Sequence, residues 1–148
     1  MLFRSCVLHL LFFILHFPTA PCPTGWLPSF HGSCFKMFNE KMGWNDGKSF
    51  CVELGTNLAI LNSQANVEAV SSKIKVDWAW IALHRDPKND SRWLWIDGTL
   101  TNYTNWDSDQ PNNGFGGTED CVAIKAGRKW HDWPCKTSFR PICEINRK

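Results

Sequence analysis

Residues 119–135 read EDCVAIKAGRKWHDWPC. Two short strand candidates, Cys121 to Ile124 and Lys129 to Trp133, lie inside this stretch, which opens on Glu119 and Asp120 and closes on Cys135. Their polar ends carry hard oxygen donors: Glu119, Asp120 and Asp132, with His131 between Trp130 and Asp132.

Immediately upstream, Thr99 to Asp120 is rich in Asn, Asp, Gly and Thr and almost free of apolar residues. A loop of that length without structure of its own is usually functional or disordered. It contributes Gln110, Pro111, Asn112 and Asn113. Calcium takes about six to eight oxygens from carboxylates, amide carbonyls and backbone at flexible geometry, and a loop anchored by a disulfide can converge them. An amide before proline can be cis, turning Gln110 and Asn112 toward a common point. The plainer alternative is a polar loop that is simply solvated.

Further upstream, Trp93 and Trp95 alternate in Arg92 to Ile96, and Trp78 to Leu83 is a short apolar run; both are expected as strands, as are Phe35 to Phe38 and Pro141 to Ile145. In the first half, Trp44, Cys51 and Leu54 share helical spacing within Met42 to Leu54, with Gly55 as the stop. Ser63 is the expected N-cap of a second helix whose apolar face is Val67, Val70 and Ile74. Two helices followed by several short strands give an α+β fold.

Seven cysteines and nine tryptophans stand out in the 148 residues. Arg4, the apolar run Val7 to Phe17 and the small residues after it read as a secretory signal peptide over residues 1–20, too short to span a bilayer. The chain is therefore expected to be secreted, with no membrane span. Cys6 leaves with the leader; Cys22, Cys34, Cys51, Cys121, Cys135 and Cys143 remain for disulfides. Sequence alone does not choose among their pairings, although short spacings favour Cys22 with Cys34 and Cys121 with Cys135, which leaves Cys51 and Cys143. No pair has the spacing of a zinc cluster. With 16 basic and 14 acidic residues, no basic stripe marks the chain for nucleic acid. Neither a Gly-x-Ser-x-Gly elbow nor a His-Glu-x-x-His pair is present, so no enzyme is expected.

The chain from Cys22 to residue 146 resembles the C-type lectin domain family in its long form, with an extra N-terminal disulfide. Cys22, Pro23, Gly25, Trp26, Cys34 and Phe35 look like the N-terminal hairpin, and Trp44, Cys51, Leu54, Gly55, Leu58 and Ala59 like the first helix and its exit. Trp80, Ile81, Ala82, Leu83 is similar to the family's Trp-Ile-Gly-Leu strand, and Trp93, Trp95, Asp97, Gly98, Asn105 and Trp106 continue the pattern to Cys121, Trp130, Asp132, Cys135 and Cys143. The resemblance implies bridges Cys22–Cys34, Cys51–Cys143 and Cys121–Cys135. It further implies that Gln110, Asn112, Glu119, His131 and Asp132 bind calcium and sugar together, His131 on the sugar side. An auxiliary calcium would use Asp86, Asp90, Asn113, Glu119 and Asp120.

This chain departs from the family in three places. Mannose-type members carry Glu-Pro-Asn and galactose-type members Gln-Pro-Asp; here Gln110-Pro111-Asn112 mixes the two. Asparagine is usual where His131 stands, and one extra residue separates Asp86 and Asp90 from Leu83. The expected function is calcium-dependent carbohydrate binding, toward mannose-like or galactose-like glycans in glycan or microbe recognition. The rival is a calcium-independent domain on the same fold, binding a protein or other non-sugar ligand. Any homo-oligomer would have to use domain surfaces, since no heptad or collagen repeat is present.

Asn89-Asp90-Ser91 and Asn102-Tyr103-Thr104 are glycosylation acceptors in a secreted chain. Because Asn89 lies between Asp86 and Asp90, a glycan there is expected only on chains whose auxiliary calcium site is empty. Intact-mass measurement that found a glycan on Asn89 together with a second bound calcium would refute that coupling.

Overall fold

A computed structural model describes residues 20–72, 75, 78–126 and 129–147, the Phe115 side chain excepted. Of the leader expected over residues 1–20 only Ala20 is described, and Ile74 of the second helix also lies outside the described residues.

The chain opens with a short hairpin, β1 (Leu27–Pro28) against β2 (Cys34–Met37), stapled by Cys22–Cys34. Helix α1 (Trp44–Glu53) begins two residues later than its apolar spacing predicts. Met42 instead exchanges backbone hydrogen bonds with Phe139, and Gly43 is extended, so the helix cannot start before Trp44. It ends as expected: Gly55 has φ +71°, its N–H reaches Val52 O and that of Thr56 reaches Cys51 O, a Schellman closure. Leu54 is the C-cap and half exposed, so the buried face is Trp44, Gly47 and Cys51 rather than Trp44, Cys51 and Leu54.

A two-residue strand, β3 (Asn57–Leu58), precedes α2 (Gln64–Ser71) and escaped the sequence reading because so short a strand carries no alternation. Ser63 caps α2, its Oγ accepting from Asn66 N at 3.2 Å, and Val67 and Val70 are buried. Then come β4 (Trp78–Asp86) and β5 (Asn89–Trp95), each extending toward their shared turn by three residues beyond its apolar core. The long loop holds one helical turn, α3 (Gly114–Gly117), and leads into β6 (Cys121–Lys125), β7 (Trp130–Trp133) and β8 (Arg140–Ile145).

The strands run in the order β1-β2-β8-β4-β6-β7, with β3 added to β8 and β5 to β4. The β4–β8 pairing is parallel, and the other strand pairs are antiparallel. Indoles lock the layers: Trp44 Nε1 donates to Ile81 O and Trp80 Nε1 to Met42 O, each at 2.8 Å, tying α1 and the segment before it to β4. Cys51–Cys143 closes 92 residues of chain; in the chain-entropy account such a loop stabilises by about 4 to 5 kcal/mol. Cys121–Cys135 ties the start of β6 to the segment after β7. All three bridges are those implied by the resemblance.

Glu144 on β8 is buried, and its carboxylate accepts from Ser33 Oγ at 2.6 Å and Ile60 N at 2.8 Å, joining the N-terminal hairpin to the segment leading into α2. Burial outweighs these bonds and raises its pKa above the ordinary 4.5. The folded state thus keeps this proton to higher pH than the unfolded chain, so the stability Glu144 contributes is fullest below 4.5 and declines as pH rises through its folded value. Glu144→Gln can keep both contacts, accepting from Ile60 N and donating to Ser33, without that penalty. Its melting temperature relative to the native protein should rise between pH 4.5 and about pH 7; parallel melting curves across that range would contradict this account.

Candidate functional site

The long loop is hung from β7. Trp130 N donates to Asn105 O at 3.0 Å and Asp107 N to Trp130 O at 3.1 Å, so Trp106 enters the loop already fixed beside the strand. Its ring meets Trp130 edge-on at 5.9 Å and Trp93 at 5.0 Å, and Trp130 in turn meets Trp95 at 5.7 Å and Tyr103 at 5.8 Å. Edge-to-face packing of this kind adds roughly 0.5 to 1.5 kcal/mol per pair beyond burial. At its far end the loop is fastened by Cys121–Cys135.

Between these anchors the Gln110–Pro111 bond is cis. Asn112 N and Asn113 N then both point at one carboxylate, donating to Asp132 Oδ1 at 3.0 Å and Oδ2 at 2.8 Å. Asp132 is 2% exposed, a buried charge satisfied by loop backbone. Asn113 adopts the left-handed conformation, φ 48°, which Asn tolerates better than most residues. Its Oδ1 accepts from Glu119 N at 3.2 Å, and Gly114 N donates to Glu119 Oε2 and to Asn112 Oδ1. Asn112, Glu119 and Asp132 are thus joined in one hydrogen-bond network through Asn113 and Gly114, with Gln110 two residues before Asn112 across the cis bond.

Glu119 is 3% exposed. Burial raises its pKa, the Asp132 carboxylate adds to the rise, and the Gly114 N–H, Arg85 and His131 oppose it. Gln110 Oε1 is buried and has no hydrogen-bond partner among the described residues. A buried carbonyl oxygen left unpaired and a carboxylate whose pKa is raised would each be stabilised by positive charge. Among the described residues no group of three His, Cys, Asp or Glu side chains is placed to hold a metal. A calcium ion here would therefore depend on amide oxygens from Gln110 and Asn112 alongside the Glu119 and Asp132 carboxylates, a donor set that calcium accepts.

His131 is engaged elsewhere. Its Nε2 lies 2.8 Å from Asp107 Oδ2 and its ring packs on Trp78 at 4.5 Å, on the face of β7 opposite Asp132. That hydrogen bond, with a second from Ser108 N, lowers the pKa of Asp107.

The residues assigned to an auxiliary calcium are separated by two arginines. Asp86, 3% exposed, accepts from Lys88 N at 2.9 Å and from Arg92 Nε at 3.0 Å, and both hold its pKa down. Asp120 Oδ1 accepts from Arg85 Nε at 2.9 Å, Asp90 gives its backbone oxygen to Arg85 Nη1 at 2.7 Å, and Asn113 turns to Glu119. The carboxylates of Asp86 and Asp120 therefore already have internal cations. Sequence reasoning missed Arg85 and Asp107; the extra residue after Leu83 was the one available signal for Arg85, and nothing singled out Asp107.

Comparison with known proteins follows the same lines. The family model described as "Lectin C-type domain" matches residues 40–145. A "C-type lectin mannose-binding isoform" from Oxyuranus scutellatus is 39% identical over 133 residues, covering 83% of this chain and 82% of that one. "C-type mannose receptor 2" from Homo sapiens is 36% identical over 126 residues, covering 83% of this chain but 8% of the receptor. Among solved structures, the mouse scavenger receptor C-type lectin carbohydrate-recognition domain superposes with a TM-score of 0.78 at 30% identity, covering 86% of this chain and all of that one. A calcium-independent type II antifreeze protein superposes at 0.73 with 28% identity, covering 84% and 94%.

Gly114 tests the closeness of the loop. An added Cβ would lie 3.2 and 3.3 Å from the Glu119 carboxylate oxygens and 3.4 Å from Asn112 Oδ1. Gly114→Ala should push the carboxylate off the Gly114 N–H and cost about 1 to 3 kcal/mol by denaturant unfolding in chelator; an unchanged midpoint would mean that Glu119 is not held as described.

Proposed function

The chain belongs to the C-type lectin domain family, and from that membership we propose that it binds carbohydrate in a calcium-dependent way at the loop built from Gln110, Asn112, Glu119 and Asp132. The observation that carries the proposal is the buried Gln110 Oε1, without a hydrogen-bond partner among the described residues, in the loop that holds the buried Glu119 and is bound to the buried Asp132 carboxylate of β7. When bound, calcium supplies a fixed positive charge to which two neighbouring sugar hydroxyl oxygens can be drawn. The role is binding, without catalysis, in an extracellular setting that suits three disulfides and a leader over residues 1–20. Among the described residues no helix is long and apolar enough to cross a membrane.

Selectivity follows from donor and acceptor polarity. Gln110 and Asn112 turn their carbonyls inward, so each presents an NH2 group, a donor, to a sugar hydroxyl. On that side no carboxylate stands ready to accept the hydroxyl proton, while Glu119 can serve the other hydroxyl. A buried donor left unpaired costs on the order of 1 to 3 kcal/mol, so recognition is weak and broad, spanning mannose-like and galactose-like glycans. His131, tied to Asp107, is a positioning contact at the loop entrance in this reading rather than a sugar ligand.

A calcium-independent reading on the same fold keeps support from the small carboxylate count around Asp132. The two readings part in a thermal melt, because an ion that binds only the folded state raises the melting temperature. Calcium should raise it and chelator reverse the rise, and no shift at millimolar calcium would favour the calcium-independent reading. Gln110→Glu adds a ligand charge and should tighten calcium on the order of tenfold while moving preference toward mannose-like sugars; Asn112→Asp should move it toward galactose-like ones. Calorimetry and a glycan array in which neither variant differs from the native protein would place the site elsewhere.

A further inference from the structure

Strand β4 is irregular on both edges near the loop, and against β6 its register shifts from Trp80↔Ala123 to His84↔Cys121. Register shifts between Arg85 and Asp86 where β4 pairs with β5, from Arg85↔Trp93 to Asp86↔Asn89. The surplus residues, Asp90 to Arg92, lie in β5 and stand opposite the step from Arg85 to Asp86. Beside this bulge the Arg85 side chain is only 12% exposed. Its guanidinium lies over the Trp93 ring at 4.4 Å and donates to four separate places: Nε to Asp120 Oδ1 at 2.9 Å, Nη1 to Asp90 O at 2.7 Å, and Nη2 to Glu119 O at 3.0 Å and Asp132 Oδ2 at 3.4 Å. The backbone follows, Arg85 N donating to Asp120 O at 2.8 Å.

We propose that Arg85 is a built-in cation that takes the place of the auxiliary calcium and, without metal, positions Asp132 for the loop. Three of the four residues it meets belong to the auxiliary set, Asp90 at the start of β5 and Glu119 and Asp120 at the end of the long loop, and the fourth, Asp132, stands on β7. A planar guanidinium is matched to several oxygens spread in one plane, and aromatic stacking fixes that plane. Because Asp132 in turn receives Asn112 N and Asn113 N, the guanidinium acts on the loop through a shared carboxylate. Arg92 does for Asp86 what Arg85 does for Asp120, so two of the four carboxylates of the auxiliary set are already matched by guanidinium groups, and a third residue, Asp90, gives Arg85 its backbone oxygen. The exclusion of a second ion presupposes the calcium reading of the loop; the positioning of Asp132 does not.

The test uses the full mature chain with Arg85→Gln and Arg85→Lys, counting bound calcium by equilibrium dialysis and following amide exchange at Asn112 and Asn113 in chelator. The native protein should bind a single ion. Arg85→Gln should gain a second, weaker ion and lose about tenfold or more of the exchange protection at both amides. Arg85→Lys, which keeps the charge but not the planar fork, should stay at a single ion with intermediate protection. A native protein that binds a second ion, an Arg85→Gln variant that gains none, or unchanged protection would overturn the proposal. If the native protein binds no ion while Arg85→Gln gains one and loses protection, the role of Arg85 stands and the calcium reading of the Gln110 loop fails. Should Arg85→Gln not fold, Arg85→Lys decides: reduced protection with a single ion supports the proposal, and unchanged protection or a second ion overturns it.

Discussion

The carboxylate of Asp132 is the constraint on which the rest of the site depends. It stands on β7, almost wholly buried, and a charge there is tolerable only if its lone pairs are filled. Asn112 and Asn113 fill them from the loop and Arg85 from β4. Removing any of these donors would leave a buried charge short of a partner, which costs more than the missing hydrogen bond alone. One side chain therefore couples the cis turn at Pro111, the end of β4 and the strand that bears His131.

That coupling works only because β7 itself cannot move. Trp130 is fully buried and meets Trp95, Trp106 and Tyr103, while Trp78, Trp133 and Phe139 pack against one another on the other side of the strand. Part of the abundance of tryptophan is thereby explained: a long polar loop has little apolar surface of its own to bury, so its ends are held by large rings on the strands. Cys121–Cys135 fastens the same strand pair covalently, limiting how far the loop can open when its buried carboxylates are unbalanced.

Much of the architecture was legible in the sequence where one residue type dictates one conformation. Gly55 stops α1 because it alone enters the left-handed region without strain, Ser63 caps α2, and the cysteines pair as the family resemblance implies. The strands β1 and β3 were not legible, since two residues show no period, and the start of α1 was displaced by the pairing of Met42 with Phe139, a contact between segments far apart in sequence. In the site, Asn112, Glu119 and Asp132 share one hydrogen-bond network, while Gln110 is held nearby in sequence with its Oε1 buried. His131 and the auxiliary set differ because their partners, Asp107, Arg85 and Arg92, are chosen by tertiary position: an arginine in an alternating strand gives no sign of which carboxylate it will reach.

The two clusters around Asp132 therefore obey different electrostatic rules. Toward the β4–β5 turn, negative charge is balanced by covalently attached guanidinium groups, whose effective concentration does not depend on any dissolved ion. Toward Gln110, the Glu119 carboxylate is met by a backbone N–H, and the Gln110 carbonyl oxygen has no hydrogen-bond partner among the described residues, so positive charge would be stabilising on that side. An ion bound there contributes in proportion to the logarithm of its concentration over its dissociation constant. On the proposed calcium reading, a domain arranged in this way keeps one half of its loop shaped without metal and leaves the other half responsive to the ion. Such responsiveness requires that the shaped half hold Asp132 in place beforehand, which the Arg85 guanidinium and the Asn112 and Asn113 N–H groups together do.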